Sequence, residues 1–363
     1  MKLHIVGGFL GSGKTTAIIG ATKQLMDQGT RVGVVTNDQG RYLVDTAFFE
    51  LSTTPTVEVT GGCFCCNYDD LDAQLEQLKE TAQPDVIFAE SVGSCADIVA
   101  TVVKPLLELL SDEVKPSSFS VFTDARLLRR RLLGQPMPFS DDVVYIFDKQ
   151  IEESGLLVIN KIDLLEPEAV SQVRELAVAR FPASVIRTQN SLDPGNIAGW
   201  VDVLTTGDLA LPAHPLDIDY ERYGTGEAQL AWLDERVTLR PPEGRGRETV
   251  MHFLEAMVKT IEDQDVPIGH LKVLVQTQHE HAKVSFASLE DVTWREEIPP
   301  LTGTEVKMLI NARLEISAPE LQDLITEAAN RTTAATGVTI EASDVASFHP
   351  AMPTPTHRFM KDT

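Results

Sequence analysis

A nucleotide-binding loop close to the N-terminus limits the folds open to this chain more than any other feature. The run Gly8–Thr16 reads Gly-Phe-Leu-Gly-Ser-Gly-Lys-Thr-Thr and follows the apolar segment 3–6. It matches the P-loop pattern G-x-x-x-x-G-K-[ST] in the required order of strand, loop and helix. Glycines let backbone N–H groups surround a phosphate chain, and the following helix presents its positive end to that chain. The pattern therefore predicts a bound nucleoside triphosphate.

Two side chains of this loop have predicted roles. Lys14 is expected to reach the β- and γ-phosphates, and the hydroxyl of Thr15 is expected to ligate Mg²⁺. The loop alone does not distinguish GTP from ATP, or a kinase from a hydrolase. The residues predicted to surround the phosphates are Gly8, Gly11, Ser12, Gly13, Lys14, Thr15 and Thr16.

Strand-like and helix-like segments alternate over residues 1–206. This alternation predicts an α/β fold of the P-loop NTPase type, with a mostly parallel sheet covered by helices on both faces. Ligands of such folds bind at the carboxyl edge of the sheet. The predicted strands are Leu3–Gly7, Val32–Thr36, Val57–Thr60, Val86–Ala89, Ser120–Thr123, Leu156–Ile159 and Ser184–Arg187. The clearest predicted helices are Thr15–Gln28, Leu71–Thr81 and Glu168–Arg180.

The alternation stops over residues 207–226, which we interpret as a linker. A smaller α+β domain, ferredoxin-like in layout, is expected over residues 227–349, and an extended tail over residues 350–363. Its predicted strands are Arg236–Leu239, His270–Val275, Lys283–Ala287, Val306–Ile316 and Val338–Glu341. Its predicted helices are Glu248–Asp263 and Pro319–Ala335.

The charge balance limits the partners of this chain. Acidic residues outnumber basic residues by 54 to 31, and the formal net charge is −23. Such a surface repels nucleic acid and anionic lipid. No apolar run approaches the length of a membrane span, and the first residues read as a strand and a P-loop rather than as a secretion signal. We therefore expect a cytoplasmic protein without nucleic-acid or membrane partners, and a homo-oligomer is left open.

The run Asn160-Lys161-Ile162-Asp163 follows the apolar strand 156–159 and predicts the base of the nucleotide. In this N-x-x-D arrangement, the carboxylate of Asp163 can accept two hydrogen bonds from N1–H and N2–H₂ of guanine. Adenine lacks this pair of donors, and a site built around polar groups rejects a ligand that leaves them unpaired. Asn160, Lys161 and Asp163 therefore indicate GTP rather than ATP.

Two further acidic positions are candidates for the catalytic machinery. Glu90 ends the strand 86–89 and opens Glu-Ser-Val-Gly, where a carboxylate can hold Mg²⁺ or position the attacking water. The loop Asn37-Asp38-Gln39-Gly40 follows the second strand and resembles a switch loop that senses the γ-phosphate. Lys14, Glu90 and Asp38 are the predicted catalytic residues. The alternatives are a helix cap at Glu90 and an ordinary turn at Asp38.

Three of the four cysteines lie on one short loop, Gly61-Gly62-Cys63-Phe64-Cys65-Cys66. Three thiolates suit a borderline cation such as Zn²⁺, with the fourth position open to Asp38, another side chain or water. A redox dithiol and packing cysteines are the alternatives. We interpret Cys95 as a buried helix residue. Whether His279 and His281, in a predicted hairpin connection, bind metal is left open.

Taken together, the P-loop, Gly-Gly-Cys-x-Cys-Cys, Glu-x-x-Gly and Asn-Lys-x-Asp occur in the order found in one known group. Over residues 1–205 the chain resembles the CobW-type members of the CobW/HypB/UreG family of P-loop GTPases. The resemblance implies a GTPase that handles a transition metal, with Cys63, Cys65 and Cys66 as the metal thiols. It further implies that Thr15 and Glu90 hold magnesium and that GTP hydrolysis is coupled to the cysteine loop.

The resemblance implies a metallochaperone that delivers a metal, most simply zinc, to a metal-requiring client protein or cofactor pathway. The alternatives are a nucleotide- and metal-gated regulatory or assembly module and a cobalt-handling GTPase of cobalamin biosynthesis. The chain departs from the family pattern at Ser91–Cys95 and at Asn37–Gly40, where Asn-Glu-Phe-Gly is commoner. These departures concern the switch geometry more than nucleotide binding.

Overall fold

The computed structural model describes most of the chain and divides it into two units. The described residues are 1–40, 44–50, 54–109, 114–207, 209–289 and 294–361, with only the backbone course given for 48–50. The first unit comprises residues 1–39, 49–226 and 352–363, and the second comprises residues 40–48 and 227–351.

A seven-stranded parallel sheet forms the centre of the first unit, which confirms the predicted fold class and all seven predicted strands. The strands are β1 (Lys2–Gly8), β2 (Val32–Asn37), β3 (Thr56–Val59), β4 (Val86–Glu90), β5 (Lys115–Asp124), β6 (Leu156–Asn160) and β7 (Val185–Gln189). Their order is β3-β2-β4-β1-β5-β6-β7. Val6 lies opposite both Glu90 and Ser120, and Asp124 lies opposite Asn160. The register therefore places the loops after β1, β2, β4 and β6 at one carboxyl edge.

Helices accompany these strands, and apolar side chains fill the space between them and the sheet. The helices of this unit are α1 (Lys14–Asp27), α3 (Tyr68–Ala82), α4 (Lys104–Leu109), α5 (Ala125–Leu132), α6 (Asp141–Glu152), α7 (Pro167–Arg180), α8 (Pro194–Thr206) and most of α9 (Tyr220–Gln229), whereas most of α2 (Val44–Glu50) belongs to the second unit. Trp200 of α8 is fully buried, with its ring 5.7 Å from Phe88 and 5.2 Å from Phe122. Burial of such a large aromatic surface is a main source of stability.

Residues 220–226 of the predicted linker form the first part of α9. Gly224 and Gly226 lower the helix propensity of this segment, so its sequence does not indicate a helix. Packing outweighs that deficit. Tyr223 is buried in a cluster with Ala96 and Ile146, and its hydroxyl accepts a hydrogen bond of 3.1 Å from the backbone N–H of Ala96.

The second unit is a five-stranded antiparallel sheet with two long helices, α10 (Gly246–Asp263) and α12 (Ala318–Thr336), and the short helix α11 (Trp294–Glu297). The strands are β8 (Leu230–Arg240), β9 (Ile268–Gln276), β10 (His281–Phe286), β11 (Val306–Glu315) and β12 (Thr339–Phe348). Their order, β10-β9-β11-β8-β12, is that of a ferredoxin-like sheet with β10 added at one edge. Within the described ranges, every helix is too short or too polar to span a bilayer.

Residues 40–48 belong to this second unit, although they follow directly after the predicted switch loop. The backbone N–H of Val44 donates a 2.6 Å hydrogen bond to Oδ1 of Asn311 in β11. The Asp45 carboxylate lies 2.5 Å from Nζ of Lys272 and 2.6 Å from Nζ of Lys283. Burial opposes ionisation of Asp45, but the two ammonium groups outweigh it and hold its pKa well below the ordinary value.

We expect Asp45→Ala to destabilise the second unit by about 3 kcal/mol, because it leaves two largely buried ammonium groups without their carboxylate. Urea unfolding of the variant, followed by tryptophan fluorescence, measures the loss. Glu255→Ala is the matched control: it removes an exposed ion pair of 3.2 Å with Arg295 in the same unit, which is worth about 0–1 kcal/mol. Equal losses in the two variants would contradict the assignment.

Candidate functional site

The P-loop between β1 and α1 has the backbone that its glycines were predicted to allow. Gly8 and Gly13 have φ angles of 122° and 88°, in the region that favours glycine. A Cβ atom at Gly8 would lie 2.1 Å from the carbonyl oxygen of Phe122, and one at Gly13 would lie 2.4 Å from Nδ2 of Asn160. Any side chain at these positions would force the loop away from the strands that support it.

Polar groups of the loop are available for an anionic ligand. Lys14 is buried, and its ammonium group donates to the carbonyl oxygens of Gly8 and Phe9 at 2.9 and 3.3 Å. The hydroxyl of Ser12 is also buried and has no hydrogen-bond partner among the described residues. A buried hydroxyl without a partner, in a loop that leads into a helix, is suited to donate a hydrogen bond to a phosphate oxygen.

Thr15 and Glu90 are brought together, although 75 residues separate them in the chain. The Thr15 hydroxyl donates a 2.9 Å hydrogen bond to Oε1 of Glu90, and both residues are buried. Hydroxyl and carboxylate oxygens are the ligands that Mg²⁺ prefers. The donor set therefore fits the magnesium ion that accompanies a nucleoside triphosphate.

The Asn160–Asp163 segment shows a division of roles that its sequence does not reveal. Nδ2 of Asn160 donates to the carbonyl oxygen of Ser12 at 2.7 Å, and its Oδ1 accepts from the hydroxyl of Ser191 at 2.8 Å. Asn160 thus joins the P-loop to the segment after β7. Lys161 has a left-handed φ of 62°, and Asp163 is exposed. The Asp163 side chain therefore remains accessible to a nucleotide base, whereas the Asn160 side chain is hydrogen-bonded to other groups of the protein.

Ser191 and Asp124 were missed by sequence reasoning because neither lies in a recognisable motif. Asp124, at the end of β5, lies 3.5 Å from Nζ of Lys161 and 2.8 Å from Nη2 of Arg126. Burial raises the pKa of Asp124, but these two cations outweigh it and lower the pKa below the ordinary value. A carboxylate directly after the predicted strand Ser120–Thr123 is the sequence signal that could have identified Asp124. The register of the sheet then places it directly opposite Asn160.

The cysteine loop between β3 and α3 gathers its three sulfur atoms on one side. The backbone N–H groups of Cys66 and Asn67 both donate to the carbonyl oxygen of Cys63, at 3.0 and 2.9 Å. The Sγ atoms of Cys63 and Cys65 are 2.6 Å apart, those of Cys63 and Cys66 are 3.3 Å apart, and those of Cys65 and Cys66 are 3.7 Å apart. Adjacent cysteines can therefore contribute to one group of thiols here.

Asn37 at the end of β2 holds this loop in place. Its Nδ2 donates to the carbonyl oxygens of Val59 and Gly62 at 3.0 and 2.7 Å, and its Oδ1 accepts from the backbone N–H of Phe64 at 2.9 Å. The side chain is buried, so these three bonds satisfy a group that would be costly to leave unpaired. Asn37 thus connects the predicted switch loop directly to the cysteine loop.

Cys95 is buried, as predicted, and its side chain hydrogen-bonds to Cys63 and Cys65, but it does not lie in a helix. It lies in the loop after β4, before the next helical turn. Hydrogen bonds with Cys65, Cys66 and Cys95 hold the pKa of Cys63 well below its ordinary range. Hydrogen bonds with Cys63, Cys66 and Cys95, together with burial, raise the pKa of Cys65, and the bond with Cys63 raises the pKa of Cys66 to about 11. The cluster therefore concentrates negative charge on one sulfur.

The thiols fit a zinc ion. Tetrahedral zinc with bonds of about 2.3 Å needs sulfur atoms about 3.8 Å apart. The Cys65–Cys66 separation of 3.7 Å already matches, and the Cys63–Cys65 pair would widen by about 1 Å. Because several thiols are protonated, zinc binding would release protons and depend on pH.

Three other side chains that we considered as metal ligands are not part of the thiol group. Among the described residues, the group of three or more side chains able to hold a metal consists of Cys63, Cys65 and Cys66, without Asp38, His279 and His281. His279 lies in the turn between β9 and β10 and His281 is the first residue of β10, which confirms the predicted hairpin connection.

Similarity to known proteins agrees with this geometry. Residues 2–186 match the family model described as CobW/HypB/UreG, nucleotide-binding domain. The chain is 25% identical over 224 residues to zinc-regulated GTPase metalloprotein activator 1 of Dictyostelium discoideum, covering 53% of this chain and 47% of that protein.

Two bacterial proteins are similarly related. Zinc chaperone CobW of Pseudomonas aeruginosa is 24% identical over 253 residues, covering 61% of this chain and 64% of that protein. Zinc chaperone YeiR of Escherichia coli is 28% identical over 169 residues, covering 46% of this chain and 48% of that protein. The chain thus spans about half to two thirds of the length of these relatives.

The matched region contains the P-loop, Glu90, the cysteine loop and Asn160–Asp163, and it amounts to just over half of the 363 residues. The protein therefore belongs to the CobW/HypB/UreG family of nucleotide-binding proteins.

Proposed function

We propose that this protein is a GTP-hydrolysing metallochaperone that takes zinc on the cysteine loop and delivers it to a metal-requiring client. The observation that carries this proposal is the direct connection between the two loops. Asn37 binds the cysteine loop through two hydrogen bonds, to Gly62 and Phe64, and the next residue, Asp38, belongs to the predicted γ-phosphate sensor. A movement of the switch loop therefore displaces the cysteine loop, and the reverse also holds.

The nucleotide half uses the groups found at the carboxyl edge of the first sheet. GTP is held by the N–H groups of the P-loop and by Lys14, which exchanges the carbonyl oxygens of Gly8 and Phe9 for phosphate oxygens. Asp163 selects guanine. Thr15 and Glu90 hold magnesium, which neutralises charge that develops on the phosphates.

The metal half uses the thiols of Cys63, Cys65 and Cys66, with Cys95 as a further thiol supplied by the loop after Glu90. Only four residues separate Glu90 from Cys95 in the chain. A displacement of Glu90 on GTP hydrolysis is therefore also transmitted to the thiols along this short stretch of backbone. We infer that the GTP state favours zinc binding and that hydrolysis favours its release.

Zinc titration of the full chain against a competing chelator, with and without a non-hydrolysable GTP analogue, tests this function. We expect the analogue with magnesium to tighten zinc binding at least fivefold, and zinc to tighten the analogue by the same factor, because coupling is reciprocal. Lys14→Ala, which loses the phosphate contact, should abolish the effect. Equal zinc affinity in all nucleotide states would favour a regulatory module in which zinc and GTP act separately.

Asp163→Ala should weaken GTP binding about a hundredfold and change ATP binding little, because it removes two charge-assisted hydrogen bonds that only guanine offers. Competition binding with a fluorescent GTP analogue measures both affinities. Glu166→Ala is the control, since Glu166 is an exposed carboxylate of the same segment. Equal losses for GTP and ATP would reject the guanine assignment.

Replacing both Cys65 and Cys66 by Ser should abolish tight zinc binding, because one remaining loop thiol cannot complete a zinc site. Metal content after gel filtration and chelator competition give the stoichiometry and affinity. Cys95→Ser, measured alongside, shows whether the fourth thiol contributes. Unchanged stoichiometry in the double variant would place the zinc site elsewhere.

A further inference from the structure

The last residues of the chain lie on the first unit, beside the cysteine loop, although they follow the second unit in sequence. We call residues 352–361 the C-terminal strap. Exposure alternates along it, as in an extended segment with one face on the protein. Prolines at two positions restrict the free chain and lower the entropy lost when it docks. The half-buried residues of the strap are Pro353, Pro355, His357 and Phe359.

The strap contacts the thiol loop through its backbone. The N–H of Thr354 donates to Sγ of Cys66 at 3.3 Å. The N–H and the hydroxyl of Thr356 donate to the carbonyl oxygens of Cys65 and Cys66 at 2.9 and 3.0 Å. The ring of His357 packs edge-on against Tyr68, the first residue of α3, with centroids 5.0 Å apart. The strap thus holds both the backbone and one sulfur of the loop.

An ion pair fastens the strap next to this loop. Nε of Arg358 donates to Oδ2 of Asp97 at 2.7 Å, and the Asp97 side chain is fully buried. The hydroxyl of Tyr220 donates to the same oxygen at 2.7 Å, and the guanidinium lies 4.9 Å from the Tyr220 ring. A buried carboxylate is costly without a cation, so Asp97 favours the docked strap. The N–H of Phe359 adds a 2.9 Å bond to the carbonyl oxygen of Ala100.

We propose that the C-terminal strap is a cover of the zinc site, which orients Cys66 and slows zinc exchange, and that Arg358 and Asp97 form its latch. This inference rests on the proposed function, because it concerns the same thiols. Cys66 is the half-exposed cysteine of the loop, whereas Cys63 and Cys65 are buried. A chelator or a client ligand therefore reaches the metal most easily at Cys66, where the strap lies.

Arg358→Ala in the full-length protein tests the latch. We expect zinc to leave the loaded variant about tenfold faster in excess chelator, as befits the loss of one charge-assisted bond. We also expect iodoacetamide to modify Cys66 of the zinc-free variant faster by a similar factor, since the thiol loses its cover. Arg358→Lys, which keeps the charge but not the planar group, should lie between the variant and the natural protein.

Arg131→Ala is the matched control, because Arg131 forms a 2.6 Å ion pair with Asp148 on the same unit, away from the strap. Hydrogen exchange at the amides of Thr356 and Phe359 reports whether the strap has lifted. Faster hydrogen exchange at these amides, together with unchanged rates of zinc release and of Cys66 alkylation, would overturn the role of the strap as a cover of the zinc site. If these amides stay protected from exchange in Arg358→Ala, the proposed role of the Arg358–Asp97 pair as the latch is rejected.

Thr354→Pro examines the sulfur contact separately, because proline removes the N–H that donates to Cys66. Thr354→Ala keeps that N–H, so the difference between the two variants isolates it. Zinc release faster by about threefold in the proline variant than in the alanine variant is the expected result. Equal rates would overturn the orienting role. If the natural protein bound no zinc at the loop, the proposed function would fail, whereas alkylation of Cys66 would still report on the cover.

Discussion

The carboxyl edge of the seven-stranded parallel sheet is the constraint on which both candidate sites depend. Parallel strands all end on the same side, so residues far apart in the chain meet there. The P-loop follows β1, Asn37 ends β2 and Glu90 ends β4. The burial of Trp200 and its neighbours against the sheet keeps these strand ends in register. Nucleotide and metal loops therefore share one rigid support.

Hydrogen bonds at this edge join residues of the two candidate sites. Asn37 makes two bonds to the cysteine loop and one to Val59 of β3, and Glu90 accepts one from Thr15 of the P-loop. Each bond is worth only about 1 kcal/mol net, but a buried group that loses its partner costs more. A nucleotide that moves either residue must therefore move its partner as well. The strap is held in the same way, because the buried carboxylate of Asp97 would lose its cation if Arg358 moved away.

Much of the fold could be predicted because its signals are local. All seven strands of the parallel sheet were predicted, since buried strands of this type are continuous apolar runs bounded by turns. Helix α9 was missed because its glycines oppose a helix, whereas the burial of Tyr223, which favours it, is a tertiary contact. Residues 40–48 were also assigned to the first domain, and no local pattern signals the pairing of Asp45 with two lysines of the second sheet.

The sequence by itself determined the nucleotide loop and the three thiols of the cysteine loop, and it predicts guanine through Asp163, because each depends on residue types at short, regular spacing. The tertiary structure alone decided which side chains connect them. Asn37, Cys95 and the C-terminal strap meet the cysteine loop across 25 to 290 residues of chain. Such contacts arise from the order of the strands and from the burial of polar groups that need partners, which no short motif records.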